Sequence, residues 1–431
     1  NQINNNVLKI NKKINLSLQD VNYLLNPYNF SINIKTKNPK ILLEGRDLGI
    51  KNIQTNISLK SLINNQFLID DLKIITKEIK LNDVVALLRV FQNSPQLFVL
   101  DTIIKDGLVN ANIDLSFDNR GKVKENYNIE GSVKKARLNI LNQFKIKNLD
   151  FNFGIRKNIY SLNQIDMKLN DIKITSPLIE IEKNKTSFFV NGQFLNDKKN
   201  FNIKELKPIF DNLFNNLDIE KIEFSSNNKF SFNFNKNLKI NDFKLESIID
   251  LNTLILKEEN LKLKPYFPNF IEDIKLKEHK IFINYNKNKL NIEGRGNILL
   301  DDKSDNLSYQ IVKDTSGISF DSIINLKNNS LIINFLDYEK KEGLNSLISV
   351  KGVLKKNNEL RLDLINLKEK NNKISITGLD LSKSYKIIDI ENFKINYKND
   401  KNIFINLFLN KKDSNYFIEG ESFDASKIIN D

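Results

Sequence analysis

Period-two alternation runs through this chain from end to end. In residues 228–246, NKFSFNFNKNLKINDFKLE, Phe230, Phe232 and Phe234 occupy every second position with Ser, Asn and Lys between them. The same rhythm sets Phe30, Ile32 and Ile34 on one side of FSINIKT, and Ile281, Ile283 and Tyr285 on one side of HKIFINYN. It returns in NKISITG with Ile374 and Ile376, and in NIFINLFLN with Ile403, Ile405, Leu407 and Leu409. Successive side chains of a strand point to opposite faces, so this pattern specifies strands with one apolar side. Asn, Asp, Lys and Gly pairs break the runs at intervals of roughly 8–14 residues, as turn chemistry requires.

At about 12 residues per strand and turn, 431 residues hold on the order of 30 strands. Stacked side by side at about 4.8 Å they would span roughly 140 Å, and a sheet of that width must twist and curl. The fold expected is all-β with a few short inserted helices. Its long, twisted, mainly antiparallel sheet curls into an open hydrophobic groove. Two or three stacked sandwiches and a closed barrel are the competing arrangements. No obvious break separates domains, so residues 1–431 read as one elongated region. The chain opens at Asn1 without an initiator Met, which fits a fragment or processed product whose N-terminal anchor lies outside it.

Helical spacing is rare. LNDVVALLRVFQNSP predicts a helix near 82–94, with Asn82 or Asp83 as cap, an apolar stripe of Val84, Val85, Leu87, Leu88 and Phe91, and Pro95 beyond its end. KPIFDNLFNNL predicts another at 207–217, opened by Pro208. Shorter helices are expected over 17–26 and around 266–274.

Glycine recurs in one setting. Leu43-Glu44-Gly45, Ile129-Glu130-Gly131, Val190-Asn191-Gly192, Ile292-Glu293-Gly294, Val350-Lys351-Gly352, Ile376-Thr377-Gly378 and Ile418-Glu419-Gly420 each place Gly two residues after an apolar residue. Glycine inside a strand marks a bulge, a bend or a close backbone approach.

Catalytic chemistry finds little purchase. The chain has no Cys, which removes disulfides, thiolate metal sites and a Cys nucleophile. The single histidine, His279, cannot by itself make a metal site and reads as a surface residue without a role. Asp301, Asp302 and Asp305 cluster without calcium-loop spacing and read as a solvated turn. Gly294-Arg295-Gly296 lacks the third glycine of a dinucleotide fingerprint. We expect no enzyme, no cofactor and no metal. The net charge of +13 is spread without a block of like charges, so no nucleic-acid partner is expected.

The remaining question is what the apolar rows face. Packed sheet on sheet they are core. Lining a trough, they need a partner with a long apolar surface, and acyl chains fit. Candidate lining residues are Phe230, Phe232, Phe234, Ile281, Ile283, Ile374, Ile376, Ile403, Ile405 and Leu407. Which parity faces inward throughout is not fixed, because each bulge can shift it.

Three stretches carry a family likeness. Residues 32–74 (INIKTKNPKILLEGRDLGIKNIQTNISLKSLINNQFLIDDLKI) with the following IKLNDVVALLRVF, the strand pair GLDLSKSYKIIDIENFKINY at 378–397, and the closing FIEGESFDASKIIND with Gly420, Asp424, Ile428 and Ile429 resemble the AsmA-like proteins of Gram-negative envelopes. The resemblance implies a periplasmic β-groove, anchored to the inner membrane by a segment absent from this chain. It implies carriage of phospholipids between inner and outer membranes, in support of outer-membrane biogenesis. The runner-up is an envelope scaffold that helps outer-membrane proteins assemble by strand pairing at exposed edges.

Overall fold

The computed structural model describes residues 14–18, 20–43, 46–60, 69–91, 94–140, 143–206, 218–235, 237, 239–257, 263–268, 270, 273–300, 303–399, 403–413 and 415–422. The expected helix at 207–217, Gly45, the Asp301-Asp302 pair, and Asp424, Ile428 and Ile429 lie outside them. Among the described residues the chain is mostly β, and 23 of the strands pair into one antiparallel sheet that is not closed into a barrel. Among the described residues, Val21–Asn26 pairs only with Ser31–Lys37, and Asn415–Ser422 only with Phe404–Lys412, so each is an edge. The chain divides into two compact units. Residues 1–196 and 229–242 form the first, and residues 197–228 and 243–431 the second.

In the first unit the registers keep one side apolar from strand to strand. Ile129 pairs with Ile155, Gly131 with Phe153 and Val133 with Phe151. Tyr160 and Leu162 continue from Ile155 and Phe153, and Ile181 and Ile179 continue in turn. The other side carries half-exposed ion pairs: Arg156 to Glu130 at 2.8 Å, Lys147 to Asp171 at 2.9 Å and Arg137 to Asp106 at 2.9 Å. Such pairs contribute about 0–1 kcal/mol each, so their main effect is to keep this face wet.

Bulges keep the apolar side on one face. Strand Asn128–Ile140 runs Ile129, Gly131, Val133 and then Ala136, Leu138, Ile140, with the register shifting around Lys135, whose φ is +52°. Strand Phe144–Arg156 steps from Ile146 to Leu149 across Asn148 (φ +50°), and Ile159–Leu169 from Leu162 to Ile165 across Gln164 (φ +53°). The extra residue changes the parity of the sequence but not the direction of the side chains. That settles the parity question within these strands.

Helix Leu81–Phe91 packs over one end of this face, with Leu81 and Val84 against Val109, Val133 and Ala136. Its far side holds Ala86, Leu87 and Val90 against Leu48. Pro95, expected only to lie past a helix end, opens a second helix, Pro95–Ile103. Ser94 caps it, its hydroxyl accepting from the Leu97 amide. The amide that Pro lacks is not needed at the first turn. Residues Val21–Asn26, expected to be helical, form a strand instead, paired along its length with Ser31–Lys37. Residues 263–268 form turns rather than a helix, with Pro265 and Pro268 each withdrawing a donor.

In the second unit the apolar row runs from Ile281 and Ile283 through Ile292, Ile311 and Phe320. It continues through Val350, Ile365, Ile376, Ile374, Ile395 and Leu407. One end of this face is closed. The insertion between strands Gly317–Leu326 and Ser346–Lys355 folds back as strand Leu331–Ile333, a 3₁₀ turn Asn334–Leu336 and strand Tyr338–Lys340. Leu331, Leu336 and Tyr338, together with Phe270, bury against Leu326, Leu367, Ile374, Ile395, Tyr397 and Ile405. The Ile332 amide donates to the Tyr266 carbonyl at 2.8 Å, tying this insertion to the 263–268 turns.

The recurring glycines have a packing reason. A Cβ on Gly131 would lie 2.5 Å from the Phe153 ring, on Gly294 2.3 Å from the Tyr309 ring, and on Gly192 2.9 Å from the Phe230 ring. Each glycine sits on the apolar face under an aromatic ring from another strand, which covers backbone the glycine leaves bare. Gly294→Leu is therefore expected to destabilise the second unit by about 1–3 kcal/mol through overpacking. Urea denaturation of the pair checks it: Tyr309→Ala should cost less in the Gly294→Leu background than alone.

Candidate functional site: a half-open apolar face

The phenylalanine row lies on the apolar face of the first unit. Phe234 stacks on Phe188 with centroids 4.8 Å apart, and Phe230 stacks on Phe194 at the same distance. Phe232 lies between its neighbours, 6.0 Å from Phe230 and 6.3 Å from Phe234. Cross-strand ring pairs of this kind favour strand pairing and fix ring orientation. All five rings remain half-buried. Ile155, Tyr160, Leu162, Ile179 and Ile181 are half-buried or exposed no less than that, and continue the same surface. Alternate residues on the opposite side, such as Asn152, Arg156, Gln164, Asp166 and Lys168, are exposed. Helices Leu81–Phe91 and Pro95–Ile103 pack at the other end of this unit's sheet, against strands Ile104–Ser116 and, for the second helix, Asn128–Ile140.

The second unit divides the other candidates. Ile281, Ile283, Ile376 and Leu407 are half-buried on its apolar face. Ile374 and Ile405 are 7% and 1% exposed and belong to the closed core. Ile403 lies before strand Phe404–Lys412, its amide bound to the Asn399 side chain at 2.9 Å, and is exposed. It is a loop residue. The sequence row thus mixes open lining, closed core and loop, and the folded-back insertion that separates them left no periodic signal.

His279, expected on the surface, is 1% exposed. His279 shares the parity of Ile281 and Ile283 and so lies on the apolar face, over Gly296 and beside Tyr309. Its Nε2 lies 3.0 Å from the Asn297 carbonyl, and its Nδ1 has no partner among the described residues. Burial pushes its pKa below the ordinary 6.5, with the Asn297 contact offsetting part of the shift. A depressed histidine pKa means that the unfolded chain takes up a proton first. Stability from this site is present above about pH 6.5 and is lost as pH falls through the lowered value. His279→Leu is expected to flatten the decline below about pH 6.5 seen in urea midpoints of the second unit, where one titrating group contributes up to about 1.4 kcal/mol per pH unit.

An open depression of about 560 Å³ lies on the charged side of the second unit, between Lys280, Glu293, Arg295, Gln310 and Asp321. It shares the exposed ion-pairing character of that face. The described residues hold no cluster of three or more His, Cys, Asp or Glu side chains placed to bind a metal. No helix among them is long and apolar enough to cross a membrane.

No family model, no curated protein and no solved structure matches this chain.

Proposed function

We propose that this protein carries phospholipids without chemistry, their acyl chains lying on the apolar faces of its sheet. One observation carries the reading. The Phe188, Phe194, Phe230, Phe232 and Phe234 patch and its continuation through Ile181 and Tyr160 remain half-open, while the reverse of the phenylalanine-bearing strands mixes the polar Asn191, Gln193, Ser231 and Asn233 with Phe189 and Leu195. Apolar surface left to water costs about 25 cal/mol per Å², and acyl chains remove that cost along any length of strand. Apolar contact is non-directional, so a chain slides from one strand to the next without breaking specific bonds. Headgroups would stay at the solvent edge.

The likeness to AsmA-like proteins supports a setting for this carriage. We place it in the periplasm, between inner and outer membranes, with the inner membrane as the site of anchoring. A scaffold role is favoured by a separate observation. Strand Asn415–Ser422 is exposed along nearly its whole length and pairs on one side only among the described residues, which suits strand addition by a client.

Native mass spectrometry of the chain, purified from membranes without detergent, tests the carrier reading. Several phospholipids per chain, lost in Phe232→Asp, are expected. A folded chain free of lipid would sink the reading. Client capture that survives Phe232→Asp but fails when the Asn415–Ser422 edge is blocked by proline would favour the scaffold.

A further inference from the structure

We infer that the second unit selects acidic phospholipids, with their phosphate headgroups at the lysine-bearing turns along one end of its strands and their acyl chains running toward the sealed end. This rests on the carrier reading and adds to it the class of lipid and its orientation. The net charge of +13 is scattered along the sequence, but the hairpin topology gathers it. From Asp273–Asn286 to Asn415–Ser422 the strands of the sheet run antiparallel, each beside the next, so alternate connections fall at the same end. At one end the turns 286–289, 313–317, 355–359, 382–386 and 411–415 contain nine lysines against three carboxylates, those of Asp314, Glu359 and Asp413. The connections at the other end, 258–272, 300–303, 327–345, 369–372 and 399–403, contain eight lysines against ten carboxylates. The cationic excess therefore belongs to one end only.

Most of these lysines are not used by the protein itself. Lys355 pairs with Glu359 at 3.7 Å, Lys411 with Asp389 at 2.6 Å, and Lys289 lies near Asp314. Lys287, Lys313, Lys356, Lys383, Lys386 and Lys412 are exposed and have no carboxylate partner among the described residues. Turns two strands apart stand about 10 Å from each other, close to the screening length of about 8 Å at physiological salt. A phosphate at this end is therefore attracted by lysines of more than one turn.

The kind of anion follows from what adjoins these turns. At the opposite end Leu331, Leu336 and Tyr338 already occupy the apolar face, over Leu367 and its neighbours. Further along the same strand, Leu360–Glu369, the side chains of Ile365, Leu362 and Leu360 are half-buried. Ile365 pairs with Val350 and Ile376, Leu362 with Gly352 and Leu379, and Leu360 with Leu354 and Leu381, so the apolar face reaches the 355–359 turn. From Ile365 to Leu360 is about 16 Å at about 3.3 Å per residue. One leaflet is about 15 Å deep in acyl chain, half of a hydrocarbon core of about 30 Å. An acyl chain laid along this strand with its end against the insertion brings its phosphate to the lysines. A small anion without a tail gains the lysines and leaves the apolar strand in water.

The test offers the full chain equal amounts of phosphatidylglycerol, which is acidic, and phosphatidylethanolamine, which is not, and counts both by native mass spectrometry. A preference of about fivefold or more for phosphatidylglycerol is expected, shrinking as salt is raised. Lys356→Glu with Lys383→Glu and Lys386→Glu should abolish the preference. Lys341→Glu with Lys370→Glu and Lys373→Glu makes the same change of charge at the sealed end and should keep it. All six side chains are exposed, so circular dichroism should be unchanged in both variants. Equal binding of the two lipids, or a preference that the two variants keep or lose alike, would overturn the inference and leave the carrier reading standing. A folded chain free of lipid would overturn both. Calorimetric binding of inorganic phosphate through Lys356, Lys383 and Lys386, with no preference between the lipids, would overturn it in favour of a free anion. Vesicle association through the same lysines, again with no preference in the lipid carried, would overturn it in favour of a membrane surface.

Discussion

Ile405→Asp is expected to unfold the second unit, whereas Phe232→Asp is expected to leave the chain folded and to strip its lipid. Both residues belong to the same kind of alternating row, and sequence alone treats them alike. Ile405 is 1% exposed, pairs with Tyr397, and lies in the cluster that Leu331, Leu336 and Tyr338 close. A carboxylate there has no cation to meet and no water, and an uncompensated buried charge costs about 3–5 kcal/mol or more. That is a large part of the about 5–15 kcal/mol that holds a typical domain together. Phe232 is half-buried on an open face, where a carboxylate can turn to solvent. Urea denaturation together with limited proteolysis separates the outcomes. Ile405→Asp should make the fragment from 243 onward protease-sensitive, and Phe232→Asp should leave the digestion pattern unchanged. A Phe232→Asp chain that unfolds as readily would show that the phenylalanine row is closed core, and the carrier reading would lose its main support.

The contrast locates what the sequence makes legible. Alternation is a local property, so the strands, their one-sided apolar character and the helix over Leu81–Phe91 can be read from spacing alone. Side-chain direction across a bulge largely cannot: Lys135 and Gln164 are not types that announce a left-handed backbone, and Asn148, which is one, is lost among the many Asn of this chain. The glycines were visible as a repeated device, but their partners Phe153, Phe230 and Tyr309 lie on other strands. The insertion over residues 327–345 is short and irregular, and its burial depends on Leu367, Ile395 and Ile405, which are remote in sequence. His279 has the parity of Ile281 and Ile283, so its face was legible, but the cover that buries it comes from Gly296 and Tyr309 on other strands. Features decided by one bulge or one remote contact are where pattern reading stops.

The polar network beneath the same insertion gives the second large effect, separable into an offset and a slope. Lys340 is fully buried, and its ammonium donates to the carbonyls of Asn329 at 2.5 Å and Lys327 at 2.9 Å. Asp305 holds the same turn from the other side, accepting from the amides of Lys327, Asn328 and Asn329. Tyr338 donates to Glu369 at 2.5 Å. Lys340→Met leaves two buried carbonyls without that donor, at about 1–3 kcal/mol for each unsatisfied group, so a loss of about 3 kcal/mol or more is expected near neutral pH. The slope in alkali follows from the shifts. Burial and the Glu369 contact push the Tyr338 phenol well above its ordinary 10.0. The stability it confers is complete below about pH 10 and is lost as pH rises through the raised value, because the unfolded phenol ionises first. Burial pushes Lys340 below its ordinary 10.5, so its contribution has the opposite sign: it grows as pH rises through the lowered value and levels off above about pH 10.5. Above about pH 10, Tyr338→Phe is therefore expected to flatten the decline in urea midpoint, while Lys340→Met should remove an opposing rise that ends near pH 10.5, even though both lower stability at neutral pH. Tyr309, also raised by burial, should keep part of the decline in the Tyr338→Phe chain. Equal slopes in all three chains would mean that the insertion does not seal the end of the apolar face, and that Ile374 and Ile405 are as open as Phe232.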